Sequence, residues 1–303
     1  MPLRFGSQGR FRVVQLTDCH FGAGPAQDAR TERLIAQVLE VERPDLVVLT
    51  GDVIDGERCR DAAAAWRQAA RPMVERRIPW CSVFGNHDDE GRADRRALLR
   101  LQQRLPFCLS RAGPRSVSGV GNYALPLLGA GRGSQAAAIL YFMDSQAYSR
   151  TGAGTYGWFG HDQVAWYRRS SRRLARGGRR LPGLAFFHIP LPEWETAWTE
   201  GYDRKGHRPE FVNCPRINSG MFAAFHERGD VLGAFCGHDH LNDGEATLFG
   251  IRLCYGRATG FGGYGKQGFA RGARVIELVQ GRREFETWLR LAGGAREDQG
   301  PAG

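Results

Sequence analysis

Five short stretches of the 303-residue chain carry side chains suited to acid–base or metal chemistry: "TDCH" with Asp18 and His20, "GDVID" with Asp52 and Asp55, "GNHDDE" with Asn86, His87 and Asp88, "FFHIP" with His188, and "CGHDHLND" with His238 and His240. They hold five of the eight histidines. None says much alone, because an HxH or GD pair more often marks a turn or a surface contact. Taken together, carboxylates, imidazoles and an amide suit Mn, Fe, Co or Zn, whereas Mg and Ca favour all-oxygen shells. The donors exceed the needs of one ion. Two ions about 3.5–4 Å apart, sharing a carboxylate, would use them all and would clamp the attacking and leaving oxygens of a displacement at phosphorus.

Every stretch follows a short apolar or β-branched run. Residues 12–17, 45–50, 80–84, 184–187 and 231–235 read as strands, with a further one at 137–143. Leu34, Ile35, Val38 and Leu39 predict a helix over 28–43 that Pro44 stops, and an alanine-rich helix is expected over 61–76. Residues 245–255 and 273–279 read as hairpin strands, with a Gly-rich link at 260–268 between them. This alternation argues for an α/β sheet with helices on both faces, the late strands adding antiparallel pairing or a second sheet. Ligands of such sheets bind at the carboxyl ends of the strands, where all five stretches fall. Gly51, Gly85 and Gly237 each precede a candidate ligand, as expected where the chain turns sharply off a strand.

Composition narrows the alternatives. With 42% apolar and 24% charged residues the chain has ample core material. It has no apolar run of roughly 18 residues and no hydrophobic segment after Met1, so a cytoplasmic protein without membrane insertion is expected. Seven scattered cysteines without CxxC spacing read as reduced thiols, and Cys19 should turn away from its polar neighbours. The net charge of +10 rests on 42 basic residues of which only Lys205 and Lys266 are lysines, a skew that suggests a GC-rich coding bias. The arginine run from Arg168 to Arg180 lacks interleaved aromatics, so a solvated face is preferred to a nucleic-acid grip, and a silent nucleic-acid-binding module ranks last among the readings. A single domain over 1–292 with a frayed tail over 293–303 is expected; the oligomeric state is left open.

The ordered set DxH, GDxxD, GNHD, H and GHDH resembles the calcineurin-like metallophosphoesterase superfamily, from Asp18 to His240 and into the closing strands. The phrases "GVGNYALPL", "YFMDSQAYS", "FFHIPLPEW" and "CGHDHLND" are similar, more narrowly, to the branch of purple acid phosphatase 29 and the yeast phosphatase Dcr2. The resemblance implies a four-layer αββα sandwich, two mixed sheets flanked by helices, and a dimetal-dependent phosphoester hydrolase. By that resemblance Asp18, His20, Asp52 and His240 would hold one ion, and Asp52, Asn86, His188 and His238 the other, with a hydroxide between them as nucleophile. His87 would protonate the leaving oxygen, Asp55 would orient it, and Asp88 and Asp239 would orient neighbours. True purple acid phosphatases carry a tyrosine three residues after the bridging aspartate; here that residue is Asp55, so no purple chromophore is expected. The metals implied are Mn, Fe or Zn. A phosphorylated small molecule is the expected substrate, with a phosphodiester of a nucleotide or lipid headgroup as runner-up.

Substrate contacts are sought elsewhere. Asn122 and Tyr123 precede a strand, Trp194 lies in the long segment 189–218 that reads as a lid or binding loop, and Arg257 follows the late hairpin. His161, His207 and His226 are expected to play structural or solvated roles.

Overall fold

The computed structural model describes residues 2–133, 135–175 and 180–302. In chain order the strands are β1 (Arg10–Leu16), β2 (Leu46–Thr50), β3 (Trp80–Val83), β4 (Tyr123–Leu128), β5 (Ala136–Phe142), β6 (Gly183–Phe186) and β7 (Tyr202–Lys205). They continue with β8 (Val231–Cys236), β9 (Glu245–Leu248), β10 (Ile251–Tyr255), β11 (Gly272–Val279), β12 (Phe285–Leu291) and β13 (Arg296–Glu297). The helices are α1 (Pro25–Glu42), α2 (Ala62–Glu75), α3 (Arg95–Gln103), α4 (His161–Leu174), α5 (Glu193–Glu200) and α6 (Met221–Arg228).

Two mixed sheets form, ordered β13-β12-β11-β1-β2-β3 and β4-β5-β6-β8-β10-β9-β7. Alternation along the strands assigns their faces. Phe11 and Val13 of β1 and Leu46 and Val48 of β2 share a core with Leu140, Phe142, Leu184 and Phe186 of the other sheet. The intervening Val14, Leu16, Val47 and Leu49 pack instead with Leu34, Ile35 and Val38 of α1 and Trp66 of α2. On the far side, Tyr141, Ala185 and Ala234 pack with Trp166 of α4 and Phe225 of α6. Helix, sheet, sheet and helix thus stack as the resemblance implied.

Local signals set the helix ends. Pro25 opens α1, and Arg43 closes it in the left-handed conformation at φ 45°. Asp61 caps α2 by accepting from the Ala64 amide at 2.9 Å.

Two expectations are corrected. The segment 189–218 is not a free loop: it contains α5 and β7, and its Trp194 and Ala197 are buried in the core. The tail is paired rather than frayed. Its β13 adds to β12, and Gln299 donates to the Asp243 backbone carbonyl at 3.0 Å and accepts from Arg274 at 2.8 Å. Within the arginine run, residues 176–179 lie outside the described residues.

Candidate metal centre

Neighbouring parallel strands deliver the polar stretches to one rim. β1, β2 and β3 end just before Asp18, Asp52 and Asn86, while β6 and β8 end just before His188 and His238. The two sheets are tied there: His188 Nδ1 lies 2.8 Å from the Thr50 carbonyl, Gln15 Nε2 donates to the Cys236 carbonyl at 2.9 Å, and the His238 amide donates to Asp18 Oδ1 at 3.1 Å. Asp18, His20, Asp52 and His238 have φ of 53°, 48°, 48° and 81°. Left-handed backbone costs a non-glycine residue roughly 1 kcal/mol or more and persists only where surroundings impose it. Four of the seven candidate ligands carry this strain. Gly85 leaves space for Asp52, whose carboxylate a Cβ there would strike, and a Cβ at Gly237 would strike Thr17 and Asp18.

The rim holds two clusters of donor atoms, Asp18, His20 and His240 in one and Asp52, His188 and His238 in the other, each set lying within 4.8 Å. His20 Nε2 and His240 Nε2 are 3.2 Å apart, and His188 Nε2 is 3.0 Å from Asp52 Oδ2. Asp52 stands between the clusters, with Oδ2 also 3.9 Å from His20 Nε2. Among the described residues, Asn86 Oδ1 and His238 Nε2 are buried without a hydrogen-bond partner, and His188 Nε2 faces only the Asp52 carboxylate. The outer nitrogens explain which ring atoms face inward: Nδ1–H of His188 donates to Thr50 O, and Nδ1–H of His240 to Tyr264 O at 2.8 Å, which turns the Nε2 atoms toward Asp52 and His20 respectively. Burial opposes charge on Asp52, but His188 and His20 outweigh it and hold the carboxyl well below its ordinary range. Burial likewise opposes a proton on His188, yet Asp52 and Asp18 raise it to about 9. Burial and neighbouring imidazoles push His238 well down and His240 to about 3. With His238 and His240 held neutral and His188 holding its proton only through the buried Asp52 and Asp18 carboxylates, these side chains form a donor set in which a cation can take the proton's place.

Comparison with known proteins agrees with this geometry. The model of the calcineurin-like phosphoesterase family matches residues 11–242. The chain belongs to that family. It is 35% identical to the probable inactive purple acid phosphatase 29 of Arabidopsis thaliana over 94% of this chain and 81% of that one. It is 34% identical to the phosphatase DCR2 of Saccharomyces cerevisiae, over 96% of this chain and 55% of the yeast protein. A solved dimetal phosphatase from Danio rerio shares the fold at TM-score 0.59 and 17% identity, covering 91% of this chain and 98% of that one.

Around the phosphoesterase rim, two aspartates act as braces. Asp88 accepts from the amides of Asp52, Val53, Ile54 and Gly85 at 2.8–3.1 Å, locking the "GDVID" and "GNHDDE" loops together. Burial and the nearby Asp52 raise its pKa to about 6. Asp239 accepts from the Tyr255 hydroxyl at 2.7 Å and from Asn213 Nδ2 at 2.8 Å. Cys19 is buried and packs into the helix-side core.

Above the clusters lies a cleft of about 430 Å³, walled by Arg58, Glu90, Tyr156, Asn213 and Tyr264 as well as His87. Four expected substrate contacts are absent from it. Asn122 is buried and accepts from Gln163 and from the Asp144 amide. Tyr123 stacks on Phe142 in the inter-sheet core and donates to the Ser82 carbonyl. Trp194 packs edge-on against Phe187, and Arg257 is held by Asp243 and the Ala270 carbonyl. Tyr123 and Trp194 are turned inward by β4 and α5, and Asn122 and Arg257, which lie just outside strands, are held inward by their polar partners.

The expected pairing of Asp55 with His87 is also corrected. Asp55 is engaged by Arg58 and lies 3.6 Å from His20 Nδ1, while His87 Nδ1 is 2.6 Å from Glu90 Oε2. The nearby His20 imidazole and the Arg58 guanidinium overcome burial and hold the Asp55 carboxyl below its ordinary range. Sequence reasoning missed Arg58, Glu90, Tyr148 and Tyr156. Glu90 closes the "GNHDDE" stretch and Tyr148 lies in "YFMDSQAYS", so position within distinctive phrases was the available signal.

Proposed function

We propose that the chain is a two-metal phosphoester hydrolase acting foremost on phosphomonoesters. The observation that carries this reading is Asp52 standing between two donor clusters, with Asn86 Oδ1 and His238 Nε2 buried and without a hydrogen-bond partner among the described residues. Asp18, His20, Asp52 and His240 would hold one cation, and Asp52, Asn86, His188 and His238 the other. Mn, Fe or Zn bound there would supply Lewis acidity toward a phosphoryl oxygen and would acidify water.

The remaining work falls to the chain. His87 lines the cleft with Nδ1 engaged by Glu90, so its Nε2 is the atom available to donate a proton to the leaving oxygen. Burial opposes charge on His87, but Asp52 and Glu90 raise its pKa above the ordinary value, which favours the donor form. Arg58 brings the cleft its only Lys or Arg among the lining residues, and the Asp55 carboxylate and the Gly262 carbonyl aim it. A single guanidinium in a cleft that Glu57 and Glu90 also line suits one terminal phosphoryl group on an otherwise uncharged leaving group. The "inactive" in the plant relative's name is not carried over, because the seven candidate ligands and His87 are all present here. Seven free cysteines support a cytoplasmic setting as part of this proposal.

The test is hydrolysis of p-nitrophenyl phosphate and bis(p-nitrophenyl) phosphate by the full chain loaded with Mn, Fe or Zn, alongside metal content. Two ions per chain with metal-dependent turnover, faster on the monoester, is expected. Two ions bound without turnover of either compound would overturn the catalytic reading.

A further inference from the structure

Glu90 and Tyr148 stand outside both donor clusters, yet they connect two members of the site that point in different directions. Glu90 Oε2 lies 2.6 Å from His87 Nδ1. Its other oxygen, Oε1, accepts from the Tyr148 hydroxyl at 2.6 Å, and the same hydroxyl accepts from Asn86 Nδ2 at 3.1 Å. The chain of donors runs one way. Asn86 gives to Tyr148, Tyr148 gives to Glu90, and Glu90, an acceptor through both oxygens, takes the Nδ1 proton of His87.

Two consequences follow from donor and acceptor chemistry. An asparagine amide can present either its oxygen or its nitrogen to a pocket; with Nδ2 spent on Tyr148, Oδ1 is turned inward, where it is buried and without a partner. A neutral imidazole can carry its proton on either nitrogen; a carboxylate at Nδ1 keeps a proton there and so sets the roles of both ring nitrogens. Tyr148 comes from a different part of the chain. It sits on a short hairpin in which the Gly157 amide donates to Ala147 O and the Ser149 amide to Thr155 O, both at 2.8 Å. The same hairpin sets the Tyr156 ring edge-on against His238, centroids 4.5 Å apart. The resemblance assigned the orienting part to Asp55, which is occupied by Arg58.

We infer that Glu90 and Tyr148 are positioning residues that together set the amide of Asn86 and the imidazole of His87, so that the second donor cluster and the proton donor assemble through one hydroxyl–carboxylate pair. This rests on the phosphoester-hydrolase reading for its kinetic consequence but not for its structural one.

The experiment uses the full chain in both readouts. In ¹⁵N-labelled protein, the His87 ring nitrogens report where the proton sits. Wild type and Glu90→Gln, whose amide oxygen can still accept from Nδ1–H, should show a protonated Nδ1, and Glu90→Ala should lose that preference. With Zn-loaded protein, Glu90→Ala should slow an alkyl phosphomonoester by about 10²-fold in kcat with KM within about threefold. It should slow 2,4-dinitrophenyl phosphate, whose leaving group needs no proton, less than about threefold; Glu90→Gln should restore most of the alkyl rate. Tyr148→Phe, which loses both hydroxyl bonds, should lower bound Zn per chain through the second cluster. An unchanged ring-nitrogen pattern in Glu90→Ala, equal rate losses on both leaving groups, or full Zn content in Tyr148→Phe would each overturn the inference. If wild type loaded with Mn, Fe or Zn binds the metal and turns over neither ester, the hydrolase reading fails while the nitrogen pattern and Zn content still decide the positioning role.

Discussion

His188 and His240 each donate through Nδ1 to a backbone carbonyl at 2.8 Å, but the two carbonyls belong to different kinds of structure. Thr50 closes a strand paired on both sides and is 0% exposed, whereas Tyr264 lies in the Gly-rich link after β10 and is 52% exposed. The second cluster is thus held from within the sandwich, by strand ends, Asp88 and the cross-sheet bond. The first relies on a loop whose Tyr264 ring stacks on His240 at 4.0 Å and whose hydroxyl is tied to Glu210. Two sites alike in ligand type therefore differ in what keeps them shaped. Regions with few buried contacts open at lower free-energy cost, so the first cluster should be the one that exchanges its cation more readily.

Removing a ligand from the rigid side should have the largest effect. His188→Ala is expected to abolish binding at the second cluster and to lower kcat/KM by 10³-fold or more, read as metal per chain and as turnover. An equal loss of both ions would show that the clusters do not fill separately. Next comes the brace: Asp88→Ala strands four backbone amides and should destabilise the fold by roughly 2–4 kcal/mol, measured by denaturant midpoint. A loss under about 0.5 kcal/mol would remove the rigidity assigned to that side. On the loop side, Tyr264→Ala should weaken only the first cluster, by about tenfold in metal affinity, seen as one ion lost first in a chelator titration.

The smallest effect lies away from both. Glu245 is buried; burial raises its pKa, but Arg274 and Arg252 more than offset this and hold the carboxyl below its ordinary value. A depressed carboxyl pKa adds stability that is complete above the unfolded value and fades as pH falls through the folded one. Glu245→Gln should therefore flatten the loss of stability below about pH 4.5 while leaving metal content unchanged.

Much of the fold was legible because its signals are local. Apolar runs of strand length, the Leu34–Ile35–Val38–Leu39 spacing and Pro44 each act within one or two turns of chain. The pairing of β13 and the burial of Trp194 were not legible, since both depend on partners brought from afar: β13 on β12, and Trp194 on Phe187 and Tyr255. Asn122, Tyr123 and Arg257 were misread for one reason. A polar or aromatic residue near a strand end has two directions to point, and contact with Gln163, Phe142 or Asp243 chose the inward one.

The sequence by itself determined which atoms reach the rim, because a parallel strand delivers whatever follows it to the carboxyl edge and the motifs follow their strands directly. Only the tertiary structure decided which partner each rim residue takes. Asp55 and Glu90 are each three residues from an available basic group, Arg58 and His87 respectively, and loop conformation sends one carboxylate to the guanidinium and the other to the imidazole. That choice turns on ångström-scale placement by the Asp88 brace and by a hairpin some sixty residues further along the chain, which no local spacing encodes.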